Sequence, residues 1–317
     1  MAVEVTDDQK AAMQGMLNGV YADMSHLATK LRPSDSDPDA PLSFGGIRAA
    51  LAGCPSLSEI GSQCSAASVS SIAVALDAVG AIDDALDGLD AAARANGLLL
   101  SWQLNREQHG VAESMALDEA TSRQASAVLQ TCTKLLMQAQ MLIPKQRWVQ
   151  QTLAVARASA LVANSLWSHS DEAALALQTA ILAREGLRYP RLELSASTPK
   201  QVLPKAPVEI TVLLARQHAG GSEAAKMINN QGIFEAYWLY VEGHKPKETP
   251  NSLLAAQPMP VKDVDAPHVE AQVVFTAPPT LGKYQLTVHV LSTSVIGVEL
   301  SQDVMFEVVE DDVPALE

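Results

Sequence analysis

"RYPRLELSAS", residues 188–197, is where the chain changes its period. The ring of Pro190 crowds the residue before it and biases Tyr189 away from helical backbone angles. Beyond this point apolar side chains recur every second residue, the spacing of a half-buried strand. "VEITVLL" (208–214) sets Val208, Ile210, Val212 and Leu214 against Glu209, Thr211 and Leu213. "KYQLTVHVL" (283–291) turns Tyr284, Leu286, Val288 and Val290 inward and Gln285, Thr287 and His289 outward. "DVMFEVV" (303–309) repeats the pattern with Val304, Phe306 and Val308. With "HVEAQVVFTA" (268–277) and "EAYWLYVEGHK" (235–245), six or seven short strands alternate with Pro and Gly turns. That pattern predicts an antiparallel sandwich of roughly immunoglobulin size.

Upstream, from about residue 8 to 187, the period is helical. In "RQASAVLQTCTKLLMQAQML" (123–142), Val128, Cys132, Leu135 and Leu136 form one buried face, and Pro144 stops the helix. "QRWVQQTLAVARASALVANSLW" (146–167) is a second helix, with Trp148 at its start and Trp167 at its end. The stretch 71–104 reads as two or three shorter helices broken near Gly88 and Gly97. The expected fold is therefore multidomain, α then β: an all-α helical bundle over 67–187, preceded by helices in 1–66, and a sandwich over 188–317.

Composition bounds the function. The 317 residues carry 22 Lys and Arg against 36 Asp and Glu, a net charge of −14, and no run of four basic residues. Polyanions repel such a body, so direct nucleic-acid contact is weak at most and a protein partner is favoured. The acidic N-terminus has no apolar core of a signal peptide, and no long uncharged apolar stretch offers a membrane span. Cys54, Cys64 and Cys132 make no zinc spacing; a Cys54–Cys64 disulfide is one reading and buried free thiols the other.

No motif supplies a reactive centre. "FGGIRAAL" (44–51) and "AGGSEAAK" (219–226) pair glycines without the Gly-Lys of a phosphate loop. "DEAT" (118–121) and "DEAA" (171–174) lie in helix-starting contexts, where acidic residues suit the helix dipole. The seven histidines show neither H-x-x-x-H nor H-E-x-x-H spacing, and "IDDALDGLD" (82–90) fails the calcium-loop pattern. No catalytic, cofactor-binding or metal residue is assigned. One stretch concentrates aromatic surface: "EAYWLYVEGHK" (235–245). Alternation puts Tyr237, Leu239 and Val241 on one face and Trp238 and Tyr240 on the other. Only one face of a sandwich strand is core, so Trp238 and Tyr240 are candidate interface residues. Lys245 and Lys247, in the basic loop "GHKPKETPN" (243–251), join them.

Four stretches resemble a known module, the Sec sixty-three homology region of Ski-two-like DExH RNA helicases, and most closely that of the spliceosomal helicase that unwinds small nuclear RNAs. "NGLLLSWQLNR" (96–106) is similar to the family's Asn-Leu-Leu-Leu-Gln helix, and 129–167 to its paired bundle helices. "EAYWLYVEGHK" stands where the family has Gly-Trp-Trp-Val-Val-Ile-Gly-Asp, and 273–308 follows its closing strands. "APLSFGGIRAAL" (40–51) resembles the helix joining a preceding winged helix, which makes 1–66 a winged-helix remnant and linker. The family's Ser-Asp-x-Tyr is here "STSVIG" (292–297), with Thr293 and Val295 at the Asp and Tyr positions. About 20 residues separate Trp167 from Tyr189, too few for the family's helix-hairpin-helix.

The resemblance implies a non-catalytic scaffold docking proteins of a ribonucleoprotein particle or a helicase motor, nuclear or, alternatively, cytoplasmic, without a cofactor. A second reading is the C-terminal cassette of an active ATP-dependent RNA helicase. A third, the ER translocation factor that shares the module, would need membrane spans and a His-Pro-Asp triplet.

Overall fold

A computed structural model of the chain describes residues 7–82, 84–106, 116–166, 171–184, 189–219, 235–246, 249–263 and 265–310. The described residues fall into two compact units. The first is all helical: α1 (Asp7–Lys30), α2 (Phe44–Ala52), α3 (Ser58–Ser62), α4 (Ala66–Asp77), α5 (Ala91–Asn105) and α6 (Glu119–Leu142).

The centre of the helical unit is α5. Asp90 starts it by accepting the Ala93 N–H at 2.9 Å. From Ala95 to Asn105 every residue is buried, so the helix carries no one-sided apolar stripe. Asn96 Nδ2 donates to the carbonyls of Ala52 (3.2 Å) and Leu57 (2.9 Å), and the Ser101 hydroxyl to the Gly97 carbonyl (2.7 Å). The expected break near Gly97 does not occur. Gly97 lies within α5 because a Cβ there would come to 2.5 Å from Leu86 Cδ2, so the missing side chain makes room for Leu86. The break near Gly88, at φ +81°, is present. Apart from Ser36–Asp39, the described residues of 1–66, a stretch expected to stand apart, group with this unit, and α2 and α3 both pack on α5.

The face of α6 read from the sequence is the buried one, extended by Thr121, Ala125, Ala139 and Gln140. Asp118, in the "DEAT" stretch, caps this helix by accepting the Thr121 N–H at 2.8 Å. Cys54 and Cys132 are buried free thiols, and Cys64 is a half-buried one. Burial pushes the Cys132 thiol up to about 12.

The tightest approach in this unit is between α3 and α5. A Cβ on Gly61 would fall 2.1 Å from the Ala92 carbonyl oxygen, which is backbone and cannot swing away. Gly61→Ala is expected to lower stability by about 1–3 kcal/mol, the range for overpacking. Thermal unfolding of the variant, with hydrogen exchange along α5, measures it.

The second unit contains α7 (Val149–Ala163), α8 (Asp171–Arg184) and eight described strands: β1 (Leu192–Ser197), β2 (Gln201–Val202), β3 (Pro207–Arg216), β4 (Ala236–Gly243), β5 (Ser252–Pro260), β6 (His268–Thr276), β7 (Gly282–Ser292) and β8 (Glu299–Val308). They form a three-stranded sheet, β1-β3-β6, and a five-stranded one, β2-β8-β7-β4-β5. All pairs are antiparallel except β2–β8. The inward residues read from the sequence, Val208 to Leu214 on β3, Leu286 to Val290 on β7 and Val304 to Val308 on β8, belong to one core shared by both sheets. β5, which carries Pro258 and Pro260, is an edge strand, where proline is tolerated. This unit begins well before the boundary expected near residue 188, because α7 packs on its sheet. No described helix is long and apolar enough to cross a membrane.

Candidate interaction surface

β4 decides how the five-stranded sheet presents its outer face. Tyr237, Leu239 and Val241 enter the shared core, as alternation requires. Trp238 and Tyr240 lie on the opposite face with their rings stacked, centroids 6.0 Å apart and planes 14° from parallel. That face is covered by the chain itself. Val149, Leu153 and Ala156, one stripe of α7, pack with Tyr240, Leu253 and Leu291, with Trp238 and Ala256 at the margin. A hydrogen bond from the Leu253 N–H to the Arg147 carbonyl (3.1 Å) ties the start of α7 to β5. Further along, the Arg157 guanidinium grips the Glu299 carboxylate by two bonds of 2.8 and 2.6 Å.

The four candidate interface residues therefore separate. Tyr240 is wholly buried beneath α7, Trp238 is half-buried, and Lys245 is exposed. Lys247 lies outside the described residues. A ligand cannot stack on Tyr240 while α7 is in place.

Beyond α7 the outer face carries a polar ladder made from the residues read as outward on β7. His289 Nε2 lies 2.8 Å from Glu242 Oε2, and Asn251 donates to Glu242 Oε1 at 2.6 Å. Hydrogen bonds from His289 and Asn251 hold the Glu242 carboxyl below the usual range, against the opposing effect of burial. Thr287 Oγ1 donates to Asp303 Oδ1 at 2.7 Å and lies 2.6 Å from His244 Nε2. Gln285 Nε2 donates to Asp303 Oδ2 at 2.9 Å. This arrangement pairs carboxylates with donors in the same sheet. Among the described residues no three His, Cys, Asp or Glu side chains gather as a metal ion would require.

Sequence reasoning missed a second polar cluster, which is almost completely buried. Arg216, on the last residue of β3, donates through Nε to Glu235 Oε1 at 2.8 Å and through Nη2 to Glu235 Oε2. Its Nη1 donates to the Ala266 carbonyl at 2.5 Å. His218 Nε2 lies 3.0 Å from Glu235 Oε1, and the Tyr237 hydroxyl donates to the same oxygen at 2.5 Å. Burial pushes the Glu235 carboxyl up, but the bonds from Arg216, His218 and Tyr237 outweigh it and hold it at about 2. The cluster joins the end of β3 to the residue preceding β4. No sequence spacing announces it, because residues 216, 218 and 235 meet only once both strands are in place.

The connection after β7, the "STSVIG" stretch, is held by residues of its own unit at the end of α7, in α8 and on the approach to β1. Asn164 donates to the Ser294 carbonyl (2.8 Å), the Ile296 N–H donates to Gln178 Oε1, and Tyr189 Oη donates to the Ile296 carbonyl (2.7 Å). Val295 is buried in the shared core, which accounts for an apolar residue at that position. Beside the turn lies a groove of about 310 Å³ between α7, α8 and the β7–β8 connection, with Arg157 and Glu299 among its lining residues.

An all-α unit followed by a two-sheet β unit with its own helix laid on the outer sheet defines an α-then-β module. The family model of the Sec63 Brl domain matches residues 112–305, more than half of the chain, and the chain belongs to that family. The domain is found in members of the Ski-two-like helicase family. No curated protein matches the chain. Among solved structures, the CARDB domain of the PF1109 protein from Pyrococcus furiosus is 14% identical, with a TM-score of 0.27 over 39% of this chain and 96% of that one. A β-glucosidase from Listeria innocua is 15% identical, with a TM-score of 0.23 over 38% of this chain and 16% of that one. Spo0M, a sporulation control protein from Bacillus subtilis, is 11% identical, with a TM-score of 0.23 over 38% and 50%. Likeness at these scores carries no weight for fold or function.

Proposed function

We propose that this chain is a non-catalytic protein-docking scaffold, a Sec63-type module serving an RNA helicase within a nuclear ribonucleoprotein particle. The observation that carries the docking role is on α1. Its C-terminal half buries Met24 and Leu27, and Leu31 just beyond it is buried too, but Met13, Met16, Leu17, Val20 and Tyr21 continue the stripe uncovered, with Met16 74% and Tyr21 71% exposed. Large apolar side chains at i, i+3, i+4, i+7 and i+8 on a bare helix face are the pattern of a surface awaiting a partner. Family membership makes a helicase motor or its associated proteins the natural partner, and the net charge of −14 favours protein over RNA. Exposed Lys245 and half-buried Trp238 form a second contact candidate. The β unit itself is read as an immunoglobulin-like sandwich with β4 as its strand C; the order β1-β3-β6 against β8-β7-β4-β5 supports this.

A second reading is the C-terminal cassette of an active ATP-dependent RNA helicase, favoured by the occurrence of this domain in the Ski-two-like family. One experiment addresses both. The chain is immobilised and challenged with nuclear extract, beside a Met16→Glu/Tyr21→Glu variant. Recovery of helicase-associated or particle proteins by the parent, and their loss with the variant, is the expected result. A helicase motor on the same native polypeptide would establish the second reading, and recovery of none of these proteins overturns both.

A further inference from the structure

Four strand edges border the two sheets, and three of them are closed. β2 has only two residues. The β1 edge is capped by Gln302, whose amide accepts the Ala196 N–H at 2.8 Å and donates to the Ala196 carbonyl at 3.2 Å. β5 lacks two N–H groups at Pro258 and Pro260, and its Leu253 N–H is taken by Arg147. Such devices are how sheet proteins avoid unwanted strand addition. β6 differs. It has nine residues and no proline.

The hydrogen-bonding direction of each β6 residue follows from its neighbours. The Arg216 N–H donates to the Pro267 carbonyl and the Ala277 N–H to the Ala206 carbonyl, so odd-numbered residues face β3. In an antiparallel ladder the backbone groups of successive residues alternate sides. The even-numbered residues from His268 to Thr276 therefore aim their backbone groups at the outer edge. Gln257 Nε2 donates to the Gln272 carbonyl at 3.0 Å, as this assignment requires, so one outward acceptor at the middle of β6 is already taken and an added strand must displace this side chain. Beside the first half of β6 an open groove of about 340 Å³ separates the strand from β5.

We infer that the outer edge of β6 is a strand-addition site for an extended, basic segment of a partner protein. The inference rests on reading the chain as a protein-docking module and names the chemistry of one partner. Charge selects the occupant. On the outward faces of β1, β3 and β6 the formally charged side chains are Glu193, Glu209 and Glu270, and the loop entering β6 adds exposed Asp263 and Asp265 beside a single Lys262. A strand with Lys or Arg at alternate positions would set its cations beside Glu270 of the adjacent β6 and near Asp263 and Asp265, while its backbone pairs with β6 and the glutamates of β3 and β1 add a more distant acidic field. A second copy of this chain would bring the same glutamates and the same net charge of −14.

The probe is an end-blocked peptide, Lys-Val-Lys-Thr-Lys-Val-Lys-Thr, with a counterpart bearing Glu for every Lys. Hydrogen exchange of the full chain is followed by mass spectrometry. The basic peptide is expected to slow exchange in β6 by about tenfold, and the acidic peptide to leave it unchanged. Val274→Pro deletes an outward N–H without touching the β3 ladder and should abolish the protection. Val274→Thr keeps the N–H and should retain it, while Glu270→Lys should weaken binding by about fivefold. Equal protection by both peptides, protection confined to other strands, or undiminished binding to Val274→Pro overturns the inference. Protection of β6 that grows with protein concentration without peptide makes a second copy the occupant and likewise overturns it. None of these measurements uses α1, so failure here leaves the scaffold reading to its own test.

Discussion

Arg216→Met is expected to remove about 3–5 kcal/mol of stability from the β unit, because it leaves the Glu235 carboxylate buried without its cation. The side chains of Arg216 and Glu235 are 1% and 5% exposed, so water cannot replace the lost bonds. The double variant Arg216→Met/Glu235→Leu should recover most of that loss, since no uncompensated charge remains. Acid provides an independent check. Glu235 is held at about 2, below the 4.5 of a free carboxyl, so its contribution is fully present above about 4.5 and is lost as pH falls through about 2. The shift corresponds to about 3 kcal/mol at neutral pH, and the acid limb of the stability profile should flatten in Arg216→Met. Denaturant midpoints between pH 2 and 7, read by hydrogen exchange in β3 and β4, measure both effects. An unchanged midpoint in Arg216→Met would show that the cluster contributes nothing to folding.

Tyr240→Ala should cost a similar amount, about 3–5 kcal/mol, as expected for truncating a buried aromatic. The loss has a particular form. Tyr240 is the centre of the cluster that seats α7, so hydrogen exchange should rise in Val149–Ala163 and in β4. Tyr240→Phe separates the ring from its hydroxyl. That hydroxyl is buried and has no hydrogen-bond partner among the described residues, so removing it should leave stability unchanged or raise it slightly. A loss as large in Tyr240→Phe as in Tyr240→Ala would contradict a purely apolar role for this residue.

The alternation of β4 was legible, and its consequence was not. Reading Tyr237, Leu239 and Val241 against Trp238 and Tyr240 separates the two faces correctly, because side chains of a strand must alternate. What covers the second face depends on α7, whose stripe of Val149, Leu153 and Ala156 has no mark distinguishing a sheet from another helix as its partner. The same holds for Gly97. In sequence it reads as a break, and in place it is a hollow that receives Leu86. The Arg216–Glu235–His218 cluster had no local signal at all.

The sequence by itself determined the order of the two kinds of structure, the inward faces of β3, β7 and β8, the buried face of α6 and the family resemblance. These depend on periodicity within one element, which a linear reading resolves. Only the tertiary structure decided that α7 belongs with the strands, that Tyr240 is sealed, that a carboxylate held at about 2 joins β3 to β4, and that β6 is the longest proline-free edge among the described strands. Those properties arise between residues far apart in the chain, where burial and hydrogen bonding depend on which neighbour arrives rather than on local spacing.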